Sequence, residues 1–441
     1  MSSGETLRRD LTAIIADGVA FSVMVGVGET YLVPFALALG IAAGQASLLA
    51  TLPILAGSLL QLVAPAGVRR LGSYRRWVVG CAALQALCFV PLVAAALSGG
   101  MPAPGLFAVG AAYWAFGMAT GPAWNAWVST LVPARLRARF FAKRARGSQL
   151  ALIVGIALGG YGLELGKAHG HVLLAFATLF SVAALARLAS SRCLAVQSEA
   201  PGLAGRLDAI HPVSVLRRLA GRDAGRIVAW LLAMQVVVNV AAPFFAPYML
   251  GPLGLSYDGF MLLTGTSFVS RVAVMPLLGR LAERGRASRL LRLGAVGIVP
   301  LPALWLVTND FRFLLFLQAG AGCAWAAVEL ATLLVFFDGL EQETRTSVLA
   351  LYNVGSAAAV ALGSLLGAAL FTALGAGAGA YAALFAVSSI ARMATLPLLR
   401  GVAAPRAPHP EELDILAVRP SLGALQRPIL SSLGPIAEQP E

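Results

Sequence analysis

GIAAGQASLLATLPILAGSLLQLVAPAGVRR (residues 40–70) and GLSYDGFMLLTGTSFVSRVAVMPLLGRLAER (residues 254–284) read as two copies of one unit at a constant offset of 214. Few positions are identical, so placement carries the match. Gly40 meets Gly254, apolar run meets apolar run, and Arg70 meets Arg284. Further along, Gly155 and Gly159 align with Gly363 and Gly367 at an offset of 208, and Arg137 aligns with Arg345 at that same offset. Two copies of one apolar unit imply two bundles facing each other across a central site, the arrangement on which alternating access rests.

The chain is 59% hydrophobic and 12% charged, with a mean hydropathy of +0.81. A soluble protein of 441 residues could not keep that much apolar surface away from water. Residues 77–134 and 346–391 contain no Asp, Glu, Lys or Arg. A helix needs roughly 20 apolar residues to cross a bilayer, so each run holds two spans and a turn, the first turn being Gly99-Gly100-Met101-Pro102-Ala103-Pro104-Gly105. The pattern predicts an all-α, multi-pass membrane protein, because the apolar runs exceed strand length.

Twelve spans fit: 11–36, 46–67, 77–97, 104–128, 147–165 and 171–191, then 226–250, 258–280, 290–308, 313–337, 347–371 and 377–399. They group as two pseudo-symmetric six-helix bundles, 1–195 and 225–399, joined by an Arg-rich cytoplasmic linker over 196–224. A Pro-rich tail over 400–441 is expected to be disordered. The pairs Gly155/Gly159 and Gly363/Gly367 read as G-x-x-x-G contacts that let helices approach closely.

The net charge of +13 does not indicate nucleic acid, because of where it lies. Of 33 Lys and Arg residues, only Lys167 and Arg312 fall in segments placed outside. Almost all the others cluster at alternate span ends, including Arg135 to Arg146 and Arg187 to Arg226. This positive-inside bias places both termini in the cytoplasm and the chain in the cytoplasmic (inner) membrane. Cys81, Cys88, Cys193 and Cys323 read as small buried hydrophobes rather than disulfide partners. The chain has no H-E-x-x-H, P-loop or G-x-S-x-G motif, so no enzyme, cofactor or ATPase partner is expected. His169-Gly170-His171 reads as loop, and no metal site is expected.

The loops carry a family pattern. Gly279-Arg280-Leu281-Ala282-Glu283-Arg284-Gly285-Arg286 resembles the G-x-L-a-D-R-x-G-R-R loop of the major facilitator superfamily, with Glu283 where that family usually has Asp. The first copy is Val68-Arg69-Arg70-Leu71-Gly72-Ser73-Tyr74-Arg75-Arg76, in which Arg69 takes the acidic position. Trp124-Asn125-Ala126-Trp127 followed by Pro133, Arg137, Phe140-Phe141 and Arg144 resembles the stretch joining the fourth and fifth helices of bacterial members. The resemblance covers residues 10–399. It implies two rocking bundles and a cytoplasmic gating network drawn from Arg69, Arg70, Gly72, Gly279, Glu283, Arg284, Gly285, Arg137 and Arg345.

The same resemblance implies that spans 1, 4, 7 and 10 line the cavity. Carboxylates on those spans stand out, because a charge at mid-membrane costs roughly 2.5–3.5 kcal/mol on insertion scales. Glu29, Glu329 and Asp17 are therefore the proton-coupling candidates; Asp17 also reads as interfacial, and Glu29 as reaching the outer interface. Cavity candidates are Tyr31, Trp114, Asn125, Gln235, Asn239, Arg271 and Trp325. Arg271 has three readings: pairing with Glu329, binding a substrate anion, or snorkelling. Arg392 is expected to snorkel, and Trp124 and Trp127 to anchor the interface.

The expected function is secondary active transport of a small organic solute, coupled to protons. Gly160 replaces the proline that family drug exporters carry after the fifth-helix G-x-x-x-G. The aromatic, sparsely charged cavity still leans towards efflux. Uptake or passive uniport of a sugar or organic acid is the alternative. A non-transporting assembly factor or sensor is the rival from another class, which a sealed, wholly apolar interface between the halves would favour.

Overall fold

A computed structural model describes residues 3–132, 134–199, 223–281, 287–339 and 342–399. Residues 200–222 of the expected linker and all of the 400–441 tail lie outside the described residues.

Among the described residues the chain is helical and forms no strand. The first span is α1 (Ser3–Val27), a 3₁₀ turn (Glu29–Tyr31) and α2 (Leu32–Ala38). The second is α3 (Ala43–Leu49) with α4 (Leu52–Leu71), and the third α5 (Tyr74–Leu87) with α6 (Phe89–Ser98). The fourth, fifth and sixth are α7 (Ala103–Leu131), α8 (Ala134–Ala168) and α9 (Val172–Val196). The seventh repeats the broken first: α10 (Asp223–Ala241), a 3₁₀ turn (Ala242–Phe244) and α11 (Phe245–Leu250). The remainder are α12 (Tyr257–Leu281), α13 (Ala287–Ile298) with α14 (Leu301–Leu304), α15 (Phe311–Gly339), α16 (Gln342–Ala373) and α17 (Ala378–Thr395).

Nine stretches among the described residues are long and apolar enough to cross a membrane. The fourth, eighth and ninth units complete the two sets of six. The eighth carries Asp258 and Arg271 among its apolar residues, and the ninth breaks at Val299–Pro300. Membrane solvation is visible on α8, where Leu150, Val154, Leu158, Tyr161 and Leu165 are exposed at helical spacing. Such a stripe on a span-length helix suits a lipid-facing surface.

Helix pairing repeats between the sets. The first span packs on the fifth and sixth, as the seventh packs on the eleventh and twelfth. The second packs on the fourth, as the eighth packs on the tenth. The repeat extends to backbone detail: Gly40 and Gly254 both adopt positive φ, +78° and +61°, a region open to Gly at little cost. A Cβ on Gly159 would meet the Tyr31 ring, and a Cβ on Gly367 would meet the Val240 carbonyl. Each G-x-x-x-G pair therefore seats the broken span of its own half.

The halves meet where α8 packs on α12, α4 on α16, and α2 on α11. At the distal end, away from Ser3, the Tyr257 amide donates to Glu164 Oε2 across the interface at 2.9 Å. The rings of Tyr31 and Phe260 sit edge-on at 6.3 Å, and those of Phe176 and Tyr257 at 6.0 Å. These contacts draw the distal end closed.

Candidate functional site

The two 3₁₀ turns sit beside a cavity of about 250 Å³ between the halves, near the lower edge of the roughly 300–1,000 Å³ usual for ligand pockets. From the first half its wall takes Glu29, Thr30, Leu49, Thr51, Ile54 and Trp114. From the second it takes Val238, Phe245, Phe260, Thr264, Ser267, Trp305, Gln318, Trp325 and Arg392. The wall thus mixes four hydroxyls, one amide, one carboxylate and one guanidinium with five aromatic rings.

Glu29 reaches this wall because the helix tightens at Glu29–Tyr31, which breaks the 3.6-residue repeat of the span. Its Oε2 accepts a hydrogen bond from the Tyr113 hydroxyl at 2.8 Å. Tyr113 is held in turn by Phe89, ring centroids 5.4 Å apart. Trp114, next to Tyr113, faces the cavity.

Glu329 and Arg271 form a buried ion pair, Oε1 to Nη1 at 2.7 Å. Neither lines the cavity, but Trp325 and Ser267, one helical turn away on the same two helices, do. Of the three readings of Arg271, the structure places the pairing. Asp17 lies elsewhere, fully buried in a network inside the first half. Its Oδ1 accepts from the Ser190 hydroxyl at 2.6 Å, and its Oδ2 is 3.6 Å from Arg144. Arg187 donates to Gln85 at 2.7 Å and to Ser190 at 2.7 Å. Two rings sit against these cations, Trp124 4.7 Å from Arg144 and Phe21 4.9 Å from Arg187.

Other candidates point away from the cavity. Tyr31 is fully buried against Gly159 and donates to the Ile156 carbonyl at 2.5 Å. Gln235 and Asn239 are buried together, the Asn239 amide donating to the Gln235 carbonyl at 2.8 Å, and Asn239 packs near Gly363. Arg69, Arg70 and Gly72 are exposed at the end of α4, Gly72 ending that helix with φ +61°. Glu283, Arg284 and Gly285 lie outside the described residues. Asn125, Arg137, Gly279 and Arg345 lie in helices, but their side-chain environments are outside what is described.

Three expectations are corrected. Arg392 does not snorkel: it is 3% exposed, lines the cavity and donates to the Ile298 carbonyl at 2.8 Å. Trp124 and Trp127 are no interface anchors but core residues, Trp127 donating to the Ser198 carbonyl at 2.9 Å. Arg144 and Arg187 are buried structural cations rather than members of a solvated cytoplasmic cluster. A repeat could have revealed two of these arginines. Phe180-x-Val182-x-x-Leu185-Ala186-Arg187-x-Ala189-Ser190 recurs as Phe385-x-Val387-x-x-Ile390-Ala391-Arg392-x-Ala394-Thr395, offset 205.

No family model and no curated protein sequence matches the chain. Solved structures do. A mutant of the nucleoside transporter NupG matches with a TM-score of 0.71 at 10% identity, over 89% of this chain and 99% of that one. A bacterial homologue of the human lysosomal transporter Spinster, inward-facing and unoccupied, matches with 0.66 at 16%, over 91% and 96%. A D-xylose-proton symporter matches with 0.66 at 14%, over 91% and 99%. The chain has the fold of the major facilitator superfamily.

Proposed function

We propose that the chain is a secondary active transporter that carries a small organic solute by alternating access, with protons as the coupling ion. The observation that supports this most is the cavity between the halves, polar on both walls and drawn closed at one end. A sealed, wholly apolar interface would favour a non-transporting scaffold, and polar side chains from both halves line this one.

The positive-inside bias puts the termini in the cytoplasm of the cytoplasmic membrane. The closed distal end is then the outer one. Two acids serve the coupling. Glu29 meets the cavity directly, and a proton on it would change what its carboxyl offers a bound solute. A proton on Glu329 would cancel the charge that holds Arg271, loosening the eighth span from the tenth. Efflux is the favoured direction, because five rings beside one carboxylate and one guanidinium suit a semi-apolar solute.

The test is reconstitution. A thermal-shift screen in detergent finds a ligand, and flux is then followed in proteoliposomes with and without a pH step. Wild type should accumulate the ligand against its gradient when the step is applied. Glu29→Gln and Glu329→Gln should lose that accumulation and keep counterflow exchange. Full pumping by both variants would remove these acids from the coupling role, and flux indifferent to the pH step would make the chain a uniporter.

A further inference from the structure

The duplicated arginine has kept its place in both halves and kept a countercharge in only one. Arg187 and Arg392 are mates at an offset of 205, and each donates to the equivalent residue of its neighbouring span, Gln85 and Ile298, themselves 213 apart. In the first half Ser190 ties Arg187 to Asp17. In the second half, Thr395, the mate of Ser190, turns its hydroxyl to the carbonyl of Arg392 itself at 2.8 Å. The residue 213 positions beyond Asp17 is Trp230.

Arg392 therefore lacks the acid that its mate has. Among the described residues no carboxylate oxygen lies within ion-pair distance of it, and its Nε has no hydrogen-bond partner. It is nonetheless 97% buried, and it lines the cavity. Burying a guanidinium without an anion is strongly unfavourable. A charge kept at such a cost, in the wall of a cavity, fits a countercharge that arrives with the ligand. Trp305, Trp325 and Phe245 on the same half offer an apolar face beside it, and Gln318 an amide.

We infer that Arg392 anchors an anionic group of the ligand, so that the cavity takes a small organic acid as its anion. This deepens the transport reading and rests on it only for the solute being carried, since the anion site is read from the cavity itself.

The experiment compares acid and amide pairs, from acetate and acetamide to benzoate and benzamide, on the purified full chain in detergent. Wild type, Arg392→Lys and Arg392→Gln are melted with and without each probe. At least one acid should raise the Tm of wild type more than its amide does, and Arg392→Lys should retain that shift. Arg392→Gln should bind the same acid at least about tenfold more weakly, the loss of one charge-assisted hydrogen bond. Without a probe, Arg392→Gln should melt no lower than wild type, because it removes an uncompensated charge. The proposal is overturned if no acid in the series surpasses its amide. It is equally overturned if Arg392→Gln keeps the acid's shift, or melts well below wild type without probe, as a purely structural arginine would. Flux separates the two readings. An acid that binds through Arg392 but is not exchanged by proteoliposomes leaves the anion site standing and sinks transport. Exchange of an amide in preference to its acid does the reverse.

Discussion

The two halves share a backbone plan and differ in what they bury. In the first half the contact between the first, fifth and sixth spans holds Asp17, Arg144, Arg187 and Ser190. The corresponding positions of the second half are Trp230, Tyr352, Arg392 and Thr395, which have no carboxylate. Charge appears instead between the eighth and tenth spans as Arg271 with Glu329, whose mates are Gly57 and Gly121. Space explains one of these exchanges. A Cβ on Gly57 would meet the Trp114 carbonyl at 2.7 Å, so no side chain fits there. In the second half the tight crossing has moved to the facing helix, where a Cβ on Gly322 would meet the Ser267 carbonyl at 2.3 Å. That frees position 271 for a long cation. Duplication has preserved which helices touch; which side of each contact carries bulk or charge has been free to diverge.

The largest expected effect comes from emptying the first-half network. Asp17→Asn removes the carboxylate that faces two buried arginines and should destabilise the protein by about 3–5 kcal/mol, whereas Trp230→Phe at the mated position should cost about 1 kcal/mol. Denaturant unfolding in detergent measures both, and equal losses would dissolve the contrast. Next are the glycines that seat the broken spans. Gly367→Ala meets a backbone carbonyl at 2.2 Å, Gly159→Ala the ring of Tyr31, a side chain rather than backbone, at 2.3 Å. Overpacking should cost about 3 kcal/mol in the first case and about 1 in the second; the reverse order would mean that Tyr31 is the more rigid wall.

A smaller effect should follow at the distal closure. Glu164→Ala removes the acceptor that the first half offers to the start of α12, an interaction of about 1 kcal/mol. The ratio of closed to open molecules should fall by about fivefold. A cysteine at position 51, in a chain otherwise cysteine-free, should then label faster from the distal side, and an unchanged rate would move the closure to other contacts. Smallest of all, Arg69→Gln on its exposed helix end should change stability by less than about 0.5 kcal/mol. A larger loss in unfolding would show that the first-half loop engages partners after all.

The duplication was legible because its marks are backbone requirements. A Gly with positive φ or at a close helix crossing resists substitution by anything larger, so Gly40, Gly254 and the two G-x-x-x-G pairs survive where side chains drift. Trp114 and Trp325 were read as cavity candidates and Glu29 as a coupling candidate on a cavity helix, because a carboxylate or an indole is conspicuous in an apolar span, and all three line the cavity. Tyr31, Gln235 and Asn239 were placed on the right helices but not on the cavity face. The 3₁₀ turn at Glu29–Tyr31 separates Tyr31 from the cavity-lining Glu29 and Thr30, whereas the spacing of Gln235 and Asn239 shows only that they share one face of α10, not where that face points. Thr51, Thr264 and Ser267 gave no signal, since a lone hydroxyl in a membrane helix usually bonds its own backbone. Arg187 and Arg392 were missed for another reason. Their depth along a span suggested a route to water, but depth does not reveal an acceptor waiting on the adjacent helix.

The interruptions of the first and seventh spans leave α2 and α11 as short caps, each joined to a long rod by a 3₁₀ turn. Those caps touch each other, and Tyr31 and Phe244, which close the two turns, pack against the glycines of their own halves. A tip hinged this way can swing while its shaft stays put. Bending at these two joints would unlatch the far mouth before the bundles as a whole begin to tilt, so opening at that end would not wait for the larger movement.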